Sequence, residues 1–125
     1  MQLPPAVIVH GLADARLAMS GGRPVTLLSG YGAASYAGGL WWQELLRQAG
    51  FTGPALLDCA NAPGRALEAL RLGLPGLVIA CHPIAYAHIA QIAAAQNTLL
   101  LPAAPPALDL ALPGGAHRLA AWLAG

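Results

Sequence analysis

The chain contains no lysine, and only 9% of its residues are charged. The first absence excludes Schiff-base catalysis and the lysine of a P-loop. All positive charge rests on Arg16, Arg23, Arg47, Arg65, Arg71 and Arg118, which form no cluster, and the net charge is +1. Nucleic-acid binding needs a concentrated basic footprint, so no nucleic-acid partner is expected. Two cysteines are too few for a disulfide framework, and no basic region precedes the first apolar run. Free thiols in a reducing, cytoplasmic compartment are the expectation. Long apolar runs are missing as well. The best candidate, Leu77 to Ala95, is broken by His82, Pro83, His88 and Gln91, so no membrane span is expected.

What is present is an apolar excess. Hydrophobic residues make up 57% of the chain. Ordinary soluble domains carry roughly 25% charged residues, so the deficit here must appear as apolar surface. Self-association, most simply as a homodimer, is the expected way of covering it.

The apolar residues fall into a strand–helix rhythm. Strands are expected at Ala6 to His10, Val25 to Ser29, Ala55 to Cys59, Leu77 to Cys81 and Thr98 to Leu101. Helices are expected at Leu12 to Ser20, from the Gly30–Gly32 turn to Ala49, at Pro63 to Leu72 and at Pro83 to Gln96. The strands are continuous apolar runs, which suits a parallel sheet covered on both faces. The implied fold is α/β: a single three-layer α/β/α domain over residues 1–125 with a largely parallel five-stranded sheet. Its strand order is flavodoxin-like or Rossmann-like. Residues 102–125 stand apart, with a stiff Pro102–Pro106 segment, a strand or helical turn at Ala107 to Leu112, and a short helix at Ala116 to Ala124. That tail packs on its own sheet or on a partner subunit.

Each strand-like run ends at a polar or reactive residue. Open α/β sheets bind ligands beyond the carboxyl ends of their strands. The expected ligand-binding residues are therefore His10, Ser29, Gly30, Gly32, Asp58, Asn61 and His82. A flavodoxin-like order brings His10 near Asp58 and Cys59, and a Rossmann-like order brings it near Cys81 and His82.

Three stretches suggest chemistry. Cys59 to Arg65 has the Cys-x5-Arg spacing at a strand-to-helix turn, and resembles the phosphate-binding loop of cysteine-dependent phosphatases and arsenate reductases. The resemblance implies Cys59 as nucleophile and Arg65 as oxyanion clamp. Ala66 stands where that family has a hydroxyl residue. Gly30-Tyr31-Gly32-Ala33-Ala34-Ser35 is similar to the dinucleotide-binding Gly-x-Gly-x-x-Gly, with Ser35 in place of the third glycine. From Ala66 to Pro102 the rhythm is similar to that of aldolase-type barrels. His10, Asp58, Cys59, Cys81 and His82 are residue types that bind zinc, but their spacing matches no zinc motif, so no metal site is assigned. No cofactor is specified either.

Together these features point to binding of a small polar or anionic molecule at the carboxyl edge of the sheet. The alternative is a non-catalytic oligomerising or partner-binding domain. A third reading is a thiol-dependent phosphatase- or reductase-like enzyme using Cys59 and Arg65.

Overall fold

The structure, a computed structural model, describes residues 2–125. In chain order the elements are β1 (Ala6–Val9), α1 (Leu12–Met19), β2 (Thr26–Ser29), α2 (Ala33–Tyr36), α3 (Gly39–Ala49) and β3 (Ala55–Asp58). They continue with α4 (Pro63–Arg71), β4 (Gly76–Val78), α5 (Pro83–Gln96), β5 (Leu99–Leu101), β6 (Ala107–Asp109) and α6 (Gly115–Leu123). Prolines open α4 and α5, where a missing N–H costs no helical hydrogen bond. The single helix expected between Gly32 and Ala49 is two, because Gly38 breaks it with φ of 93°.

The α/β class and the parallel sheet are as the sequence implies. The sheet has six strands rather than five, in the order β5-β4-β3-β2-β1-β6, all parallel. That order is neither flavodoxin-like nor Rossmann-like. The winding runs from β1 to β5 in one direction, and only β6 lies on the other side of β1. The last strand therefore joins the sheet at the free edge of β1.

Successive neighbouring strands joined by right-handed crossovers place their helices on one face. The larger apolar cluster shows this. Val7, Val9, Leu27, Leu57, Cys59, Leu77 and Ile79 meet residues from all six helices, among them Ala15, Ala34, Trp42, Leu70, Ile89 and Leu119. The opposite face holds a smaller cluster of Leu28, Leu56 and Val78, with Leu3, Ile8, Leu99, Leu101 and Ala107 against it. No helix contributes to that second cluster. The second helical layer of a three-layer arrangement is replaced by the sheet's own curvature.

The β5–β6 connection requires that curvature. Only residues 102–106 join the two strands. Six Cα steps span about 20–22 Å at full extension. A flat sheet would separate its outermost strands by five spacings, about 24 Å, and the chain must also return the length of a strand. The two outer strands must curl towards each other, and the small cluster is the apolar filling of that curl.

The tail belongs to the same body. Trp122 Nε1 donates to the Ala6 carbonyl at 2.7 Å, and Leu119 and Leu123 enter the larger cluster. Among the described residues, no helix is long and apolar enough to cross a membrane.

Candidate functional site

Side chains along a strand alternate between faces. On the inner face of the curl, Ile8, Leu28, Leu56, Val78 and Ala107 form an apolar floor. Two residues further on, or at the strand end, the same face presents His10, Gly30, Asp58, Ala80 and Asp109. The concave side thus has an apolar interior and a polar mouth at its carboxyl end. Ala80 is exposed and contributes almost no side chain, whereas the space above buried Gly30 is taken by neighbouring side chains.

His10 and Asp109 meet at the carboxyl ends of β1 and β6. Ile8 and Asp109 are register partners, and His10, one residue past the end of β1, reaches diagonally to Asp109. His10 Nε2 lies 2.7 Å from Asp109 Oδ1. The same carboxylate oxygen accepts the Ala111 N–H at 2.9 Å, which fixes its position. The His10 backbone N–H donates to Asp14 Oδ2 at 2.9 Å. An ionised carboxylate only accepts, so Nε2 carries the hydrogen and, in the neutral ring, Nδ1 keeps a lone pair. Nδ1 has no partner among the described residues. The His10 side chain is 37% exposed and that of Asp109 26%.

Gly30 shapes this corner. A Cβ there would lie 2.6 Å from Tyr36 Oη and 3.2 Å from His10 Nδ1. The ring nitrogen and the phenol hydroxyl therefore sit over the same patch of backbone, in space that only glycine leaves free.

Asp58 builds the next part of the mouth. It is 4% exposed. Its Oδ1 accepts the Gly32 N–H at 3.0 Å and the Ala60 N–H at 2.8 Å, binding the turns after β2 and β3 together. Its Oδ2 accepts no hydrogen bond from the described residues. Ala60 adopts a left-handed φ of 51°, rare for a residue with a Cβ, and its carbonyl accepts the Ala80 N–H at 2.8 Å.

The other expected site residues have different places. Ser29 accepts the Asp58 N–H through Oγ at 2.8 Å and donates to the Gly30 carbonyl, so its hydroxyl is fully used in the fold. Gly32 serves as an N–H donor to Asp58. Asn61 is exposed beyond β3. His82 is exposed, and its Nδ1 accepts the Ile84 N–H at 3.1 Å as the cap of α5.

Cys59 points to the helical side, not the mouth. It is fully buried, and its thiol lies 3.7 Å from the Leu57 carbonyl. Burial, with a smaller contribution from the Asp58 charge, pushes the thiol up to about 12. An activated nucleophile needs the opposite shift. Arg65 is exposed and lies 3.5 Å from Glu68. The Cys59–Arg65 spacing therefore does not assemble an oxyanion cradle with a thiolate. Among the described residues, no three His, Cys, Asp or Glu side chains gather as a metal site.

A groove of some size lies elsewhere. About 410 Å³ opens at the amino edge of the strands, between Pro4, Met19, Pro24, Phe51 and Pro54, with Arg23 its one charged side chain. It is largely apolar and brings no polar side chains together. The convergent polar groups are at the carboxyl mouth instead.

Two members of the mouth, Asp109 and Tyr36, lie outside the residues expected from the sequence. Asp109 follows the short apolar run Ala107–Leu108, the same strand-then-polar pattern that marked the other sites. Tyr36 is 68% exposed on the short α2, and nothing in its spacing ties it to His10. No protein-family model, curated protein or solved structure matches this chain.

Proposed function

We propose that this protein binds a small polar molecule at the carboxyl mouth of the curled sheet. The carrying observation is the pairing of His10 with Asp109 beyond the carboxyl ends of the neighbouring strands β1 and β6, the edge at which open α/β sheets hold ligands. The free acceptors on the rim are His10 Nδ1, Asp58 Oδ2 and the second oxygen of Asp109. Acceptors without donors favour a ligand that supplies hydroxyl or ammonium hydrogens. An anion would face Asp58 and Asp109 unfavourably, so of the two classes the sequence left open, the neutral or cationic one fits better. Exposed Tyr31 and Tyr36 offer ring faces beside the polar groups.

The test is a screen of small polyols, amines and organic acids by amide chemical-shift perturbation. Shifts clustering at His10, Gly30–Gly32, Asp58–Ala60 and Asp109–Ala111 are expected from polyols or amines. Shifts clustering at the amino-edge groove, or none from any class, would refute the assignment.

A second reading is an assembly domain. Tyr31, Tyr36, Ile84 and Leu112, all at or just beyond the carboxyl edge, are among the most exposed large apolar side chains. A homodimer covering this rim would bury them. Sedimentation equilibrium of the wild type and of Ile84→Glu separates the two. A dimer lost in the variant supports assembly, and a monomer in both leaves the rim to a ligand.

A further inference from the structure

We propose that His10 is a general base, with Asp109 as its positioning residue, acting on a hydroxyl of a small polyhydroxylated molecule. The inference rests on the binding reading and adds a reaction to it.

Three observations converge. The Asp109 carboxylate holds Nε2 at 2.7 Å and is itself held by the Ala111 N–H, so the ring has one orientation and one neutral tautomer. That tautomer leaves a lone pair on Nδ1, which accepts no hydrogen bond from the described residues. The ring packs on Gly30, where a Cβ would approach Nδ1 to 3.2 Å and Tyr36 Oη to 2.6 Å, and its side chain is 37% exposed. A ligand hydroxyl that reaches the exposed part of the ring therefore meets a proton acceptor, with a phenol that can donate or accept close by. A base needs reach and orientation before anything else, and a carboxylate-oriented imidazole supplies both.

The carboxylates bonded to His10 are Asp109 of β6, on the ring, and Asp14 of α1, on the backbone N–H, with Asp58 of β3 further along the mouth. No arginine bonds to any of them.

The step balances without any further reagent. The ligand O–H bond breaks and its electron pair stays on oxygen. The Nδ1 lone pair forms the new N–H bond, and the positive charge of the ring is matched by Asp109. Return of the proton to the oxygen regenerates the neutral ring. Hemiacetal ring opening is the simplest reaction that needs no more than this. The anomeric hydroxyl gives its proton to Nδ1, the ring C–O bond breaks as the carbonyl forms, and the ring oxygen takes the Tyr36 hydroxyl proton. Closure returns both protons.

The other candidates carry less. The amino-edge groove lacks convergent polar groups, and the buried Trp42 Nε1, which has no hydrogen-bond partner among the described residues, is enclosed in the larger cluster.

The experiment is carbethoxylation of the full chain with diethyl pyrocarbonate at neutral pH, each histidine followed by peptide mass spectrometry. It is run with and without xylitol, on the wild type and on Asp109→Asn. Long-range proton–nitrogen NMR reads the His10 tautomer in the same samples. The expected result is a His10 ring hydrogen on Nε2, and modification several-fold faster than at exposed His88 and His117. Both features should be lost in Asp109→Asn, in a protein whose far-UV spectrum and melting temperature show it folded. A hydrogen on Nδ1, or a His10 rate unaffected by Asp109→Asn, overturns the base. Slowing of His10 modification by xylitol supports the polyol class. A fast His10 that xylitol does not protect overturns the polyol substrate and, unless the amine arm of the shift screen succeeds, the binding reading, while the base stands. If Asp109→Asn does not fold, the tautomer and relative rates in the wild type decide alone.

Discussion

Removing the Asp58 carboxylate should loosen two turns at once. In Asp58→Ala, the Gly32 and Ala60 N–H groups lose the Oδ1 that accepts them at 3.0 and 2.8 Å. Both are partly buried, and a donor left without a partner costs about 1–2 kcal/mol each. The expected loss is therefore about 2–4 kcal/mol, a large part of the 5–15 kcal/mol typical of a domain. Ala60 adds to it, because its left-handed φ of 51° is held in place by this same contact. Asp58→Asn keeps an acceptor at Oδ1 and gives up only the charge assistance, so it should cost about 1 kcal/mol. Urea unfolding followed by circular dichroism measures both variants, with the slope checked for constancy. A loss below about 0.5 kcal/mol in Asp58→Ala would refute the structural role of the bracket. Equal losses in the two variants would show that charge, and not the position of Oδ1, is what matters.

Further outcomes follow from single contacts. Ala60→Gly removes the left-handed strain and should be neutral or stabilising by about 1 kcal/mol, while Ala60→Val should destabilise by at least that much; thermal unfolding decides. Cys59 retains its proton in the fold up to about 12, against an ordinary 9.0, so stability is full below pH 9 and falls as pH rises from there. Urea midpoints between pH 8 and pH 10.5 should fall more steeply in the wild type than in Cys59→Ala, and alkylation should find Cys81 before Cys59. Gly30→Ala places a methyl 2.6 Å from Tyr36 Oη, the free end of an exposed side chain, so the fold should survive while ligand shifts at the mouth disappear. Trp122→Phe removes the 2.7 Å bond to the Ala6 carbonyl and should cost about 1 kcal/mol by urea unfolding.

Local signals made part of the mouth legible. His10, Gly30 and Asp58 each follow an apolar run of strand length, and the parallel class sends all such ends to one edge. The partner of His10 could not be read this way. It depends on which strand lies beside β1, and the answer is β6, a run of only three residues beyond a proline-rich segment. Cys59 departs from the sequence expectation for a related reason. Its position at a strand end is correct, but alternation turns it to the helical face, where burial deactivates the thiol.

The sequence by itself determined the α/β class, the parallel strands and the carboxyl edge as the place for polar groups. Those features come from short-range apolar patterning and from the helix needed to join parallel neighbours. Only the tertiary structure decided the strand order, the curl and the pairing of His10 with Asp109. Residues 10 and 109 are brought together by the order in which strands add to the sheet and by the length of one five-residue link. Neither leaves a periodic trace in the residues concerned.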